Sequence, residues 1–238
     1  MTNTKMLETT YAIIKGLESD QQTMIDSLIK TGADFSKTIG GVEPLLATLV
    51  LNLKADIVAE EAKKNGKNNQ LKAIKEILKS ASKLPAEALH YVKTIGNYQY
   101  ACDSHILAKI NSVGELKECP GNLEYPDVEK FFSRKNEACL ELTVPDGIKL
   151  KTYIKDQTAK HKKERGYRIL YNFGKDQPMV QAHMLSIAID IMVGEFKAYY
   201  KDGETALYFE DKKGNEVLLM PVSKKNPSVG FIDETTKL

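Results

Sequence analysis

The chain has 238 residues, with 34 lysines and arginines against 32 aspartates and glutamates, a formal net charge of +2, and three cysteines. That length suits one large domain, or a core domain with a helical extension, able to bury a core without disulfides. The near-neutral balance excludes a nucleic-acid binder defined by overall charge, the scattered cysteines lack the Cys-x-x-Cys spacing of a zinc site, and no apolar run is long enough to span a bilayer.

The first part of the chain reads as helical. Met6, Ile13, Ile14 and Leu17 recur at helical spacing, as do Met24, Ile25, Leu28 and Ile29 before a Thr31-Gly32 stop. A third stripe runs from Leu45 to Val58, Asn65-Gly66-Lys67-Asn68-Asn69 breaks it, and Leu71, Ile74, Ile77 and Leu78 form a fourth. Short helices with short connections predict an antiparallel bundle over 1–83, suited to partner or substrate recognition. The first residues, Met1-Thr2-Asn3-Thr4-Lys5, lack the charged-then-apolar plan of a secretory signal. A cytoplasmic protein is expected, or one exported into a host cell without a cleavable signal.

Beyond Leu84 a second module is expected over 84–238. Pro85 fits the first turn of a helix through Ala88, Leu89 and Val92, and a further helix is predicted to start near Cys102. Glu118 to Asp127 reads as a loop. From Cys139, Leu140, Leu142 and Val144 alternate with polar residues as in a strand, and Ile148 and Leu150 resume the alternation after the Pro145-Asp146-Gly147 turn. Tyr167 to Phe173 looks like another strand, and Thr205–Phe209 with Val217–Val222 like a hairpin around Lys213-Gly214-Asn215. His183 to Tyr200 fits either a pair of strands or a helix followed by a strand. Its β-branched and aromatic content favours strands. The fold class expected is α+β.

The residues that carry chemistry lie in this second module. A cysteine at a helix N-terminus gains thiolate character from unpaired backbone N–H groups, which makes Cys102 a candidate nucleophile. His183 at a strand start is a candidate base, and Asp202 or Glu210 would orient its ring. Gln99, just upstream, could help to hold an oxyanion. Against this stands the ordinary use of a cysteine as a small buried hydrophobe. His90, His105 and His161 read as surface histidines. Lys149 to Arg168 is rich in lysine, and reads as an exposed helix and loop or as a patch for a polyphosphate or acidic partner. There is no phosphate-binding glycine loop, no Gly-x-Ser-x-Gly and no His-Glu-x-x-His. No cofactor, metal or nucleic acid is expected.

The order Cys102, His183, then an aromatic strand ending near Asp202 resembles papain-like cysteine enzymes, especially bacterial effector proteases of the YopT type. Arg168 to Gly174, His183, and Gly203 to Glu210 are also similar to the histidine-to-glutamate stretch of the YopJ effector acetyltransferases, as is Cys102 to Lys109 to their cysteine helix. In that family the cysteine follows the histidine, whereas here it precedes it. The resemblance implies a papain-like module with an antiparallel β-sheet and a Cys-His-Asp or Cys-His-Glu site. It implies action on a protein substrate as a thiol protease, glutamine deamidase or acyl transferase, and the role of a virulence effector. The rival expectation is a non-enzymatic interaction or inhibitor protein.

Overall fold

The computed structural model describes residues 59, 62–63, 67–114, 116–133, 140–164, 166–225 and 234–238. The chain divides into two compact units, 1–66 and 67–238. The first three helical stripes and Cys139 lie outside the described residues; beyond the third stripe, Ala59, Ala62 and Lys63 are helical. The fourth stripe forms helix α1 (Asn68–Ala81), with Leu71, Ala73, Ile74 and Ile77 buried. Each fully buried Ile or Leu contributes about 2 kcal/mol through lost apolar exposure. This helix belongs to the second unit, so the boundary expected after residue 83 falls near 66.

A two-residue Gly96-Asn97 turn then joins β1 (Lys93–Ile95) to β2 (Tyr98–Cys102), with Ile95 opposite Tyr98. Gly96 takes φ +59°, which glycine adopts without a Cβ clash and which suits the first central position of a tight hairpin turn. A second hairpin returns the chain as β3 (Ile106–Asn111), with Cys102 opposite Leu107. The helix expected at Cys102 is therefore a strand end and a turn. Asp103 and Ser104 favour turns as readily as helix caps, and here Asp103 closes the hairpin.

Helix α2 (Val128–Phe132), capped by Asp127, follows a loop that matches the expectation for 118–127. β4 is only Leu140–Glu141. The alternation read through Ile148 and Leu150 is instead helix α3 (Gly147–Lys160), because Asp146 accepts the amides of Ile148 and Lys149 and starts a helix. β5 (Leu170–Asn172) pairs with β6 (Met179–Gln181) as a separate ribbon. His183 then begins a helix, α4 (Ala182–Ile191), rather than a strand, with Leu185, Ile187, Ala188 and Ile191 buried. β7 (Phe196–Tyr200), β8 (Leu207–Asp211) and β9 (Glu216–Leu219) follow, and β8–β9 is the hairpin expected around Gly214.

The strands form one seven-stranded sheet, ordered β1-β2-β3-β9-β8-β7-β4, in which every pair is antiparallel. Mixed helix and antiparallel sheet is the α+β class expected. Side chains alternate between the two faces of a strand. One face carries Gln99, Ala101, Ala108, Ile110, Phe209, Val217 and Leu219, all buried. Helices α1 and α4 pack together on this side, and Gln70 Nε2 donates to the Ile191 carbonyl at 2.7 Å. The other face carries Tyr98, Tyr100, Cys102, Leu107, Tyr208 and Leu218, and among the described residues the short helix α2 covers it, its Val128 and Phe132 packing on Tyr100, Leu107 and Tyr208.

Candidate functional site

A cleft lies on the second face beside α2. It has a volume of about 560 Å³ and is bounded by the β2–β3 turn, the β7–β8 loop, the end of β9 and α2. Its apolar wall includes Leu107, Val128, Phe131, Tyr208, Leu218 and Met220. Phe131 and Met220 remain 51% and 49% exposed, although both are large apolar residues. Cys102, Asp103, Ser104 and His105 form one end, and Lys201 and Glu204 stand on the opposite rim. Glu204 pairs with Lys225 at 2.9 Å.

The turn at this end is built by one carboxylate. Asp103 Oδ1 accepts the amides of His105 at 2.7 Å and Ile106 at 2.9 Å, and the Asp103 amide donates to the Ile106 carbonyl. The Met220 amide donates to the His105 carbonyl, which ties the turn to the chain leaving β9. Asp103 is 8% exposed, and its Oδ2 is buried without a hydrogen-bond partner among the described residues. Ser104 Oγ and His105 Nδ1 lie 2.8 Å apart.

Cys102 lines the cleft, but its surroundings oppose ionisation. Burial, followed by the nearby Asp103 carboxylate, pushes the thiol up to about 11. A strand end offers none of the unpaired N–H groups of a helix start. His183 stands in the helical layer on the first face, while the Cys102 side chain lies on the second, so the sheet runs between them. His183 Nε2 instead meets Glu76 Oε2 of α1 at 3.3 Å, both side chains being more than half exposed.

The other expected site residues are also engaged elsewhere. Gln99 faces away from Cys102, accepting the Val113 amide through Oε1 and donating from Nε2 to the Gly114 carbonyl, so it holds the chain after β3 rather than an oxyanion. Asp202 Oδ1 accepts the Glu204 and Thr205 amides, both at 2.8 Å, and these hydrogen bonds hold its carboxyl below the ordinary value. Glu210 Oε2 accepts from the Tyr208 hydroxyl at 3.1 Å and lies opposite Glu216 across β8–β9. The geometry thus does not assemble Cys102, His183 and either acid into one site. Cys119 is buried in its loop, with Sγ 3.7 Å from the Pro120 carbonyl.

Among the remaining histidines, His90 Nε2 bonds the Leu84 carbonyl, and His161 stacks on Tyr167 while meeting Glu164 at 2.8 Å. The lysine-rich stretch lies on α3 and the turn after it, mostly exposed, with Lys151 paired to Asp190 at 2.7 Å. Among the described residues, no cluster of three His, Cys, Asp or Glu side chains could hold a metal ion, and no helix is long and apolar enough to cross a membrane.

Sequence reasoning missed Asp103, Phe131 and Met220. A signal for Asp103 was present: Tyr98, Tyr100 and Cys102 alternate with smaller residues between two turn formers, Gly96-Asn97 and Asp103-Ser104. No local signal marks Phe131 or Met220 as neighbours of that turn. No protein-family model matches the chain, and no curated protein matches it. A solved structure from Eubacterium rectale ATCC 33656, provisionally described as a DNA polymerase III beta subunit, is similar over 63% of this chain and 63% of that chain, at 11% identity and a TM-score of 0.40.

Proposed function

We propose that this chain is a non-catalytic interaction protein whose cleft takes an extended peptide segment of a partner protein, anchored by apolar side chains. The observation that carries this reading is the apolar cleft of about 560 Å³ with Phe131 and Met220 left half-exposed on its border. That volume is in the range of ligand sites, and a few bulky side chains fill it. Two half-exposed large apolar side chains on the border of the cleft favour a protein segment over a small molecule, since exposed apolar patches mark protein contacts. Glu204, paired with Lys225, and Lys201 put charge at one border of the apolar centre, as interfaces place polar groups at their edges. Cys102, held as a thiol, serves as part of the wall.

The test is selection of peptides from a displayed library on the purified full chain, followed by calorimetry with a synthetic consensus peptide. An apolar consensus is expected, whose binding weakens about tenfold or more in the Phe131→Ser, Met220→Ser double variant. Both residues are half-exposed, so the fold should tolerate the change. Failure to enrich an apolar consensus, or unchanged binding by the variant, would overturn the reading. Mass spectrometry of the peptide after incubation separates binding from turnover, and cleavage dependent on Cys102 would restore the thiol-hydrolase alternative.

A further inference from the structure

The near-even overall charge conceals a local excess. Along α3 and the chain after it, Lys149, Lys155, Lys160, Lys162, Lys163 and Arg168 are all exposed, and none pairs with a carboxylate among the described residues. The acids of this stretch are Asp156, which is exposed, and Glu164, which is engaged by His161 at 2.8 Å. Helix stability does not ask for this distribution. Cations favour the last turn of a helix, yet Lys149 stands in the first. Lys151 and Lys155 stand four residues apart, a spacing at which like charges repel. With 14 residues the helix is about 21 Å long, so the cations form a band rather than a seat for one small anion.

A flat ring lies past the C-terminal end of α3. Tyr167 stacks on His161, with ring centroids 3.8 Å apart and planes within 11° of parallel. The turn that brings them together is held by backbone bonds, the Glu164 amide donating to the His161 carbonyl and the Tyr167 amide to the Glu164 carbonyl. Tyr167 is 40% exposed even though His161 covers one face of its ring.

We propose that this surface binds a single strand of nucleic acid, whose phosphates follow the cations of α3 and its following turn while a base stacks on Tyr167. A cationic track and an aromatic platform are the two parts by which proteins hold single strands without regard to sequence. Lysine meets phosphate as a point charge on a flexible stem, which suits a strand of variable path. An acidic peptide would use the charge and leave the ring idle. An anionic membrane surface would ask for an apolar helix face, whereas exposed Ile148 shares α3 with exposed Thr152, Lys155 and Asp156. The surface shares no residue with the cleft, so the two proposals stand or fall separately.

The probe is a fluorescein-labelled oligothymidylate of about 12 nucleotides, within the site sizes of single-strand binders. Anisotropy with the full chain is read from about 50 to about 200 mM salt. The affinity should fall with salt, with a log–log slope of about −2 if three phosphates are neutralised. Lys160→Gln, Lys162→Gln, Lys163→Gln together should weaken binding and flatten that slope. Tyr167→Leu should weaken binding about fivefold or more and leave the slope unchanged. Polyglutamate and phosphatidylserine vesicles, at matched charge, should displace the strand poorly.

No binding at the lowest salt, or an unchanged affinity in Tyr167→Leu, would overturn the proposal. Efficient displacement by polyglutamate would overturn it in favour of an acidic protein partner, and displacement by the vesicles in favour of a membrane surface. Both competitions use the wild-type chain and decide the matter even if a variant fails to fold.

Discussion

Gln99 and Cys102 share strand β2 and face opposite sides of the sheet, Gln99 toward the helical layer and Cys102 toward the cleft. Gln99 therefore works as a clamp on the Val113–Gly114 chain through two hydrogen bonds. Gln99→Ala should destabilise the fold by about 1–3 kcal/mol, since it strands a buried amide and a carbonyl. Peptide binding in the cleft should stay the same. Urea denaturation measures the first effect and calorimetry the second.

The Cys102 thiol should react slowly with iodoacetamide at neutral pH, because only the thiolate attacks. Its rate should climb toward pH 11, where burial has moved its ionisation from an ordinary 9.0. The stabilising preference of the fold for the neutral thiol is complete below pH 9.0 and is lost as pH rises through about 11. Cys102→Ala should remove the part of the alkaline stability loss that belongs to this group. His183→Ala should leave the Cys102 alkylation rate unchanged, as read residue by residue by mass spectrometry. A slower rate in that variant would mean that the two residues communicate.

The His183–Glu76 pair is more than half exposed on both sides. Water screens such contacts, and a contribution below about 1 kcal/mol is expected. Glu76→Gln should shift the denaturation midpoint by little, and the shift should shrink further in high salt. A large loss would mean that the pair is sequestered.

Asp211 ties three segments together. Its Oδ2 accepts the Val193 amide at 2.8 Å and Asn215 Nδ2 at 2.6 Å, while Oδ1 accepts the Lys213 and Asn215 amides. Asn215, 1% exposed, passes the linkage on by accepting the Asn111 amide through Oδ1. Asp211→Ala should cost about 2 kcal/mol or more, because it unpairs several groups at once. Asp211→Asn should recover only part of this, as its NH2 faces a donor. Thermal and urea unfolding of both variants check the order.

Local pattern was enough wherever an element carries its own signal. The Leu71, Ile74, Ile77 stripe makes α1 because those positions share one helix face, and the β8–β9 hairpin forms around Gly214, which takes φ +80°. The α+β class follows from the same periodicities. At Cys102 and His183 the local pattern was ambiguous. Asp103 and Ser104 cap a helix or close a turn equally well, and the choice fell to the turn because Tyr98–Cys102 pairs along its length with β3. The Ile187–Ile191 run reads as a strand until Leu185, Ala188 and Ile191 are buried together in the helical layer.

The sequence by itself determined which residues alternate, which turn and which form an apolar helix face, since neighbours along the chain decide these matters. Only the tertiary structure decided which side chains meet. The cleft draws its walls from β2–β3, α2, the β7–β8 loop and the end of β9, segments joined by long-range strand pairing. Strand parity and the order of the sheet put Cys102 on one face and His183 beyond the other, and neither property can be read from the spacing between them in the chain.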